Sequence, residues 1–199
     1  KDFIQSLELE IDNLEGYLFP ETYYFFDGEE EQSVIRRLVK EYKKFWSDTN
    51  ITKADSMNLT QHQIVTLASI IEGEAIYDSE RPIISAVYHN RLKKGMKLQA
   101  DPTVQYIIKD GPRRLLNKDL KIKSPYNTYL YQGLPPGPIN SPGFKSLKAA
   151  LFPDENDYLY FVAKGDGYHT FSKNEKDHEK AKRAFQRVRR KVKKERAGS

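Results

Sequence analysis

The sequence has 199 residues, of which 38% are hydrophobic and 31% are charged. This length and composition fit one substantial domain with a packed core and argue against wholesale disorder. The chain contains no cysteine, which excludes a disulfide scaffold, a cysteine-ligated zinc site and a thiol nucleophile. No apolar run approaches the roughly 18 residues that span a bilayer. Because the first residue is Lys1 and no signal-like segment follows, we expect a fragment of a longer chain.

The net charge of +5 is concentrated near the C-terminus. Residues 173–196 contain 12 Lys or Arg and four Asp or Glu, so this segment carries +8 and the remainder of the chain carries −3. Its apolar residues recur at three- and four-residue spacing, which predicts a helix with one stripe docked on the core. The basic face is either simply solvated or attracted to an anionic surface. Since no nucleic-acid-binding motif occurs, we expect no nucleic-acid partner.

The N-terminal part is predicted to be an irregular aromatic segment followed by a helix. Residues 1–28 show no helical periodicity, whereas apolar side chains recur at helical spacing from Gln32 to Trp46. The polar residues 47–58 are interpreted as a connection.

Capping signals predict the helices of the central part. Thr60 and Gln63 form a capping box that opens the second predicted helix. Gly95 marks the end of the third predicted helix, because glycine is favoured directly after a helix C-terminus. Asp101, directly before Pro102, is another helix-start signal.

A long loop and a hairpin complete the predicted fold. Residues 124–142 are too rich in Pro and Gly for regular structure, and such a long loop is usually functional or mobile. Residues 158–163 and 168–172 predict an antiparallel hairpin. We therefore expect an α+β fold: a mostly helical domain with a small antiparallel sheet and a long Pro/Gly-rich loop. The chain is interpreted as a single domain, 1–199, with an aromatic segment and helix (1–58), a catalytic core (59–172) and a basic C-terminal helix (173–199).

Two glutamates of the second predicted helix are candidates for acid–base chemistry. Its apolar residues fall on one arc, with Glu72 and Glu74 at opposite margins. A carboxyl group at a core margin is partly desolvated, which raises its pKa and suits a general acid. The flank beside Glu74, formed by Ile70 and Leu67, is more apolar than the flank beside Glu72. Burial therefore modestly favours Glu74 as the general acid. Both glutamates are equally compatible with an ordinary helix surface.

Glu72 and Glu74 cannot form the carboxylate pair of a conventional glycosidase. Residues i and i+2 point to opposite sides of a helix, whereas such enzymes need two carboxyl groups about 5–9 Å apart across one bond. A second carboxylate would come from Glu15, Glu21 or Asp101, although the position of Asp101 directly before a proline favours a helix cap.

Other polar residues have both a structural and a functional interpretation. Asn90 is expected to be a buried polar group in need of partners, and Arg91 a half-buried guanidinium that pairs with a carboxylate. Asn127 and Tyr129 belong to a loop that alternates aromatic and amide groups, which suits sugars but also suits anchoring a loop to a core. His169, in the hairpin, is either catalytic or a strand-capping residue.

No motif predicts a metal or a cofactor. The four histidines show no metal-ligand spacing. The chain also lacks a nucleophile elbow, a phosphate loop and a dinucleotide fingerprint.

Many short runs together resemble the YceG-like family of endolytic murein transglycosylases. They occur in family order and cover nearly the whole chain: EG (15–16), FPET (19–22), LASIIEGE (67–74), VYHNRL (87–92), GMKLQADPTV (95–104), YNTY (126–129), GLPPGPI (133–139), SPG (141–143), YLYFV (158–162) and GYHTF (167–171).

The resemblance implies cleavage of the β-1,4 bond between N-acetylmuramic acid and N-acetylglucosamine inside peptidoglycan strands. No water is consumed, because the muramyl 6-hydroxyl attacks its own anomeric carbon and leaves a 1,6-anhydro end. The catalytic acid/base is the second glutamate of the family's Glu-x-Glu pair, which is Glu74 here. No cofactor or metal is expected. The residues expected to contact substrate are Glu72, Asn90, Gln99, Asp101, Asn127 and Tyr129.

The resemblance also implies a cellular setting. Family members act on the extracytoplasmic face of the bacterial membrane, through an N-terminal anchor that this chain lacks together with a LysM-like region. The expected partners are peptidoglycan strands and cell-wall synthesis proteins. Gly73 and Ala100 depart from the family pattern, and Gly73 is expected to loosen its helix by ~1 kcal/mol. Two alternatives stay open: a muramidase that uses water, with Asp101 or Glu21 as second carboxylate, and a non-catalytic glycan-binding or scaffold module.

Overall fold

The computed structural model describes residues 2–111 and 113–197, and side chains up to residue 190. Within those residues the fold contains helices, two single 3₁₀ turns (Asp78–Glu80 and Asp119–Lys121) and one hairpin. The helices are α1 (Asp2–Gln5), α2 (Glu31–Phe45), α3 (Asp48–Ser56), α4 (Gln61–Glu74), α5 (Arg81–Lys93), α6 (Asp101–Ile107), α7 (Phe144–Leu151) and α8 (Glu175–Ala197), and the strands are β1 (Tyr160–Ala163) and β2 (His169–Ser172).

Helix α4 is the centre of the fold. It begins with the predicted capping box, in which the Thr60 hydroxyl accepts from the Gln63 amide and the Gln63 side chain accepts from the Thr60 amide. Every residue from Ile64 to Ile71 is buried, as expected for a helix that is covered on all sides. Helices α3, α5, α6 and α7 pack against it.

The N-terminal aromatic segment belongs to this core. Tyr17 and Phe19 are buried among the residues of α2 and α4. Gly16 has a φ of +88°, and a Cβ at this position would lie 2.4 Å from the Pro138 ring. Only glycine therefore allows this segment to pack so closely under the long loop.

The Pro/Gly-rich loop is held against α4. The Ile139 amide donates to the Ser69 hydroxyl (3.0 Å), and the Asn140 side chain donates to the Ser69 carbonyl (2.9 Å). These contacts fix the direction in which the loop leaves the core and approaches α7.

The hairpin is antiparallel, with Tyr160 opposite Ser172 and Ala163 opposite His169. Helix α8 packs along both strands, and α5 packs against β1. The α+β class, the hairpin and the C-terminal helix are thus confirmed. The boundaries of the three sequence segments remain a prediction.

Residues 47–58, interpreted from the sequence as a connection, instead contain α3. Ser47 caps it by accepting from the Asn50 amide, and Ala54 is its one buried side chain. With a single buried position, the helix has no apolar periodicity that a sequence pattern can reveal. Within the described residues, no helix is both long enough and apolar enough to cross a membrane.

Candidate active site

A cavity of about 490 Å³ lies where the end of α4 meets α5, α6, the hairpin and α8. Its polar lining combines carboxyl, amide, phenol and cationic groups: Glu74, Asp101, Gln99, Tyr129, Arg91, His169, His178 and Lys182. Apolar side chains of the hairpin and α8, including Phe161 and Phe185, complete the wall. The expected acid/base, Glu74, therefore shares one cavity with three of the six residues expected from sequence to contact substrate: Gln99, Asp101 and Tyr129.

Glu74 is the last residue of α4, so its carboxyl group lies at the boundary between the core and the cavity. Burial raises the pKa of this carboxyl from 4.5 to about 7. The hydrogen bond from Tyr88 and the charge of Arg91 oppose this shift, while the nearby charge of Asp101 adds to it. At neutral pH both protonation states are therefore populated, which is the condition for a group that gives and then takes a proton.

Tyr88 holds the Glu74 carboxyl in place from α5. Its hydroxyl donates to Oε1 of Glu74 at 2.8 Å, and the tyrosine is only 1% exposed. Burial raises the pKa of Tyr88 well above its usual value, so this hydroxyl stays a hydrogen-bond donor. The sequence offered no signal for this contact, because it joins two helices whose relative placement no local pattern gives.

Asp101 and Tyr129 form a second polar pair in the cavity. The Tyr129 hydroxyl donates to Oδ1 of Asp101 at 2.5 Å, and burial, with the Asp101 charge, raises the pKa of Tyr129. The N-cap of α6 is Ala100, not Asp101, and Asp101 makes no side-chain cap. The interpretation of Asp101 as a helix cap is therefore wrong, and its carboxylate is free to face the cavity.

Gln99 reaches the cavity through an unusual backbone. Its φ is +50°, a conformation that costs a non-glycine residue of the order of 1–2 kcal/mol and is often found at functional sites. The backbone amide of Gln99 donates to the backbone carbonyl of Thr128 at 3.1 Å. This contact ties the segment before α6 to the long loop.

Arg91 stiffens the wall beside Gln99. Its guanidinium donates to the carbonyls of Leu159 (2.6 Å) and Leu98 (2.7 Å). The expectation that Arg91 pairs with a carboxylate is therefore wrong. Its hydrogen-bond donors are instead satisfied by backbone carbonyl oxygens of the segments that precede β1 and α6.

Three predicted substrate contacts lie outside the cavity lining. Oε1 of Glu72 pairs with Arg81 at 3.2 Å, and Oε2 accepts from the Gly143 amide at 3.1 Å. Asn90 donates to the backbone carbonyls of Asn156 and Tyr158. These contacts give both side chains a structural role, and their contact with substrate stays a prediction without support from the geometry.

Asn127 is the third of these residues and is fully buried, with 0% exposure. Its amide donates to the carbonyls of Leu120 and Ile122, and its oxygen accepts from the Tyr129 amide. Asn127 thus shapes the loop that carries Tyr129 and has no surface left for a substrate.

The candidates for a second carboxylate are separated by the fold. Glu21 lines a different groove, beside Phe144 and Arg37, whereas Asp101 shares the cavity of Glu74. Among the described residues no cluster of three potential metal ligands occurs.

A carboxyl group whose pKa is raised by burial, in a cavity that also holds a second carboxylate, is a candidate acid–base site on an α+β fold. The YceG-like family model matches residues 2–184, and the chain belongs to that family. Its relatives include proteins named endolytic murein transglycosylase from Bacillus subtilis, 45% identical over 86% of this chain, and Streptococcus pneumoniae D39, 35% identical over 84%. This chain spans 48% and 31% of those relatives' lengths.

The fold itself matches a crystal structure of a yceG-like protein from Listeria monocytogenes. The TM-score is 0.75 at 38% sequence identity, and the match covers 90% of this chain and 61% of the other.

Proposed function

We propose that this chain is the catalytic portion of a peptidoglycan lytic transglycosylase, with Glu74 as its acid/base. The observation that carries the proposal is the carboxyl group of Glu74, whose pKa is raised to about 7 in a polar cavity. The names of the relatives in Bacillus and Streptococcus point to the same reaction.

One carboxyl group suffices for this reaction. Protonated Glu74 gives its proton to the oxygen that leaves with N-acetylglucosamine, and the bond from that oxygen to C1 of N-acetylmuramic acid breaks. The muramyl O6 then bonds to C1, and its proton passes to the Glu74 carboxylate. The enzyme ends in its starting protonation state, no water enters, and the product carries a 1,6-anhydro ring.

Asp101, Tyr129 and Gln99 are proposed to contact the glycan beside Glu74. Positive charge develops on the muramyl ring as the bond to C1 breaks, and a fixed carboxylate in the same cavity stabilises it. The hydrogen bond from Tyr129 fixes the orientation of the Asp101 carboxylate. Gln99 adds a side-chain amide that can both donate and accept.

The proposal includes the setting of the reaction. Peptidoglycan lies outside the cytoplasmic membrane, so we propose that the chain works on the extracytoplasmic face as part of a longer, membrane-anchored protein. Its partners would be the glycan strands and the proteins that synthesise the cell wall.

The test compares the wild-type chain with Glu74→Gln on purified peptidoglycan, and mass spectrometry identifies the released ends. Glutamine keeps an oxygen that can accept from the Tyr88 hydroxyl, but it has no acidic proton to transfer to the leaving oxygen. We expect anhydro-muramyl ends from the wild type and none from Glu74→Gln. Glu31→Gln is the matched control, because Glu31 is exposed at the start of α2 and its loss should leave the products unchanged. Full activity of Glu74→Gln would rule out the assigned role.

A hydrolytic muramidase is the second candidate, because Asp101 lies in the cavity of Glu74. Hydrolysis leaves reducing ends that are heavier than anhydro ends by one water, and it incorporates oxygen from isotopically labelled water. Labelled reducing ends that depend on both Glu74 and Asp101 would establish hydrolysis. Glycan binding that is equal in the wild type and Glu74→Gln, without any cleavage, would instead favour a binding module.

A further inference from the structure

A buried carboxylate holds His169 at the edge of the cavity. Glu80, at the end of the 3₁₀ turn before α5, is 5% exposed. Its Oε2 lies 2.8 Å from Nδ1 of His169, and its Oε1 accepts from the His169 backbone amide at 2.9 Å. Both carboxylate oxygens are therefore used on one residue, the first of β2.

This pairing decides which ring nitrogen is available. A carboxylate oxygen only accepts hydrogen bonds, so Nδ1 of His169 must carry a hydrogen. In the neutral imidazole Nε2 is then an acceptor. Among the described residues none makes a hydrogen bond to Nε2, and His169 lines the same cavity as Glu74. Edge-to-face packing on Phe161, with ring centroids 5.2 Å apart, restricts the tilt of the ring.

We propose that His169 is a substrate-positioning residue whose Nε2 accepts a hydrogen bond from a sugar hydroxyl, and that Glu80 orients it. The inference rests on the proposed function, because it assumes that a glycan strand occupies the cavity. A carboxylate that fixes the tautomer and direction of a histidine is a recurrent arrangement in active sites. Here it supplies an oriented acceptor beside Glu74, in a reaction whose nucleophile is a hydroxyl of the substrate.

The two amide replacements of His169 separate positioning from structure. In His169→Asn the side-chain NH₂ can take the place of Nδ1, so the contact with Glu80 survives while the acceptor at Nε2 is lost. In His169→Gln the longer side chain brings an amide oxygen toward the Nε2 position. We expect kcat/KM for release of anhydro products to fall at least about tenfold in His169→Asn, with a melting temperature close to wild type. His169→Gln should recover part of the loss.

Glu80→Gln tests the orienting role. Its amide NH₂ facing Nδ1 favours the tautomer with hydrogen on Nε2, which removes the acceptor without removing the ring. We expect a loss comparable to that of His169→Asn, and little further loss when the two changes are combined, because both act through one hydrogen bond. Rates are compared per folded protein, with circular dichroism to measure the folded fraction.

The outcomes separate this inference from the proposed function. A wild-type chain that releases no anhydro ends would overturn both. Active wild-type protein with unchanged kcat/KM in His169→Asn would overturn the positioning role alone, and so would fully multiplicative losses in the double variant. In those cases the pair between Glu80 and His169 only anchors the hairpin.

Discussion

The Tyr88 hydroxyl donates a 2.8 Å hydrogen bond to Oε1 of Glu74 and so joins the middle of α5 to the end of α4. It acts against burial: burial raises the pKa of Glu74, whereas this bond stabilises the charged form and lowers it. The charge of Asp101 works in the other direction and raises the same pKa. The value of about 7 is thus a balance that single substitutions can move either way.

Tyr88→Phe should raise the pKa of Glu74, because the carboxylate loses the donor that stabilises it. In the proposed reaction Glu74 must start protonated, so kcat/KM falls as the pH rises through this pKa. We therefore expect the alkaline limb of the pH profile to move to higher pH. Anhydro-product release measured from pH 5 to pH 9 tests this, with the exposed Tyr24→Phe as control. An alkaline limb displaced to lower pH would contradict the prediction.

Asp101→Asn should have the opposite effect on the profile. Removing the negative charge beside Glu74 lowers the pKa of that carboxyl, so the alkaline limb should move to lower pH. Asparagine keeps an oxygen for the Tyr129 hydroxyl, which preserves the local packing. If Asp101 also stabilises charge on the muramyl ring, kcat at the optimum should fall by about 10-fold or more. Asp12→Asn, at an exposed position, is the control. An unchanged pH profile in Asp101→Asn would mean that Asp101 does not act on Glu74.

The local signals explain why some features were predictable and others were not. The capping box at Thr60 and the apolar arc that follows lie within a few residues of each other, and they predicted α4 and the semi-buried position of Glu74. The partners of Asn90 lie on the far segment around Asn156, so no local pattern distinguishes a structural amide there from one that binds substrate. The contact of Tyr88 with Glu74 depends in the same way on how two helices pack.

The raised pKa of Glu74 also affects stability. In the folded state the Glu74 carboxyl keeps its proton up to a pH of about 7, whereas in the unfolded chain it loses the proton near pH 4.5. Unfolding therefore releases a proton between these values, and the free energy of unfolding falls as the pH rises through that window. A shift of this size corresponds to roughly 3 kcal/mol.

Glu74→Gln removes this pH-dependent loss. We expect its stability relative to wild type to increase by up to roughly 3 kcal/mol between pH 4 and pH 8, because glutamine has no proton to release. Urea unfolding of both proteins at these two pH values measures the difference. Glu31→Gln, which removes a carboxyl group at an exposed position, is the control. A pH-independent difference for Glu74→Gln would mean that burial does not disfavour the charged form of the Glu74 carboxyl.

Gly73 lies where α4 touches the start of α6, directly before Glu74. A Cβ at this position would be 2.7 Å from Cβ and 3.0 Å from Cγ of Pro102, in a ring that cannot rotate away. The sequence-based expectation considered only the helix, in which alanine gains about 1 kcal/mol over glycine. Close contact with a rigid ring costs about 1–3 kcal/mol, so a net loss is expected in Gly73→Ala.

Gly73→Ala should also lower kcat, since relief of the clash pushes Pro102, and with it the neighbouring Asp101, away from Glu74. A double-mutant cycle with Pro102→Gly isolates this contact, because glycine removes both atoms that the new methyl group meets. We expect the free-energy cost of Gly73→Ala, measured by urea unfolding, to be smaller by at least about 1 kcal/mol in the Pro102→Gly background. Equal effects of Gly73→Ala in the two backgrounds would contradict the steric explanation, and stabilisation in both would mean that helix propensity dominates.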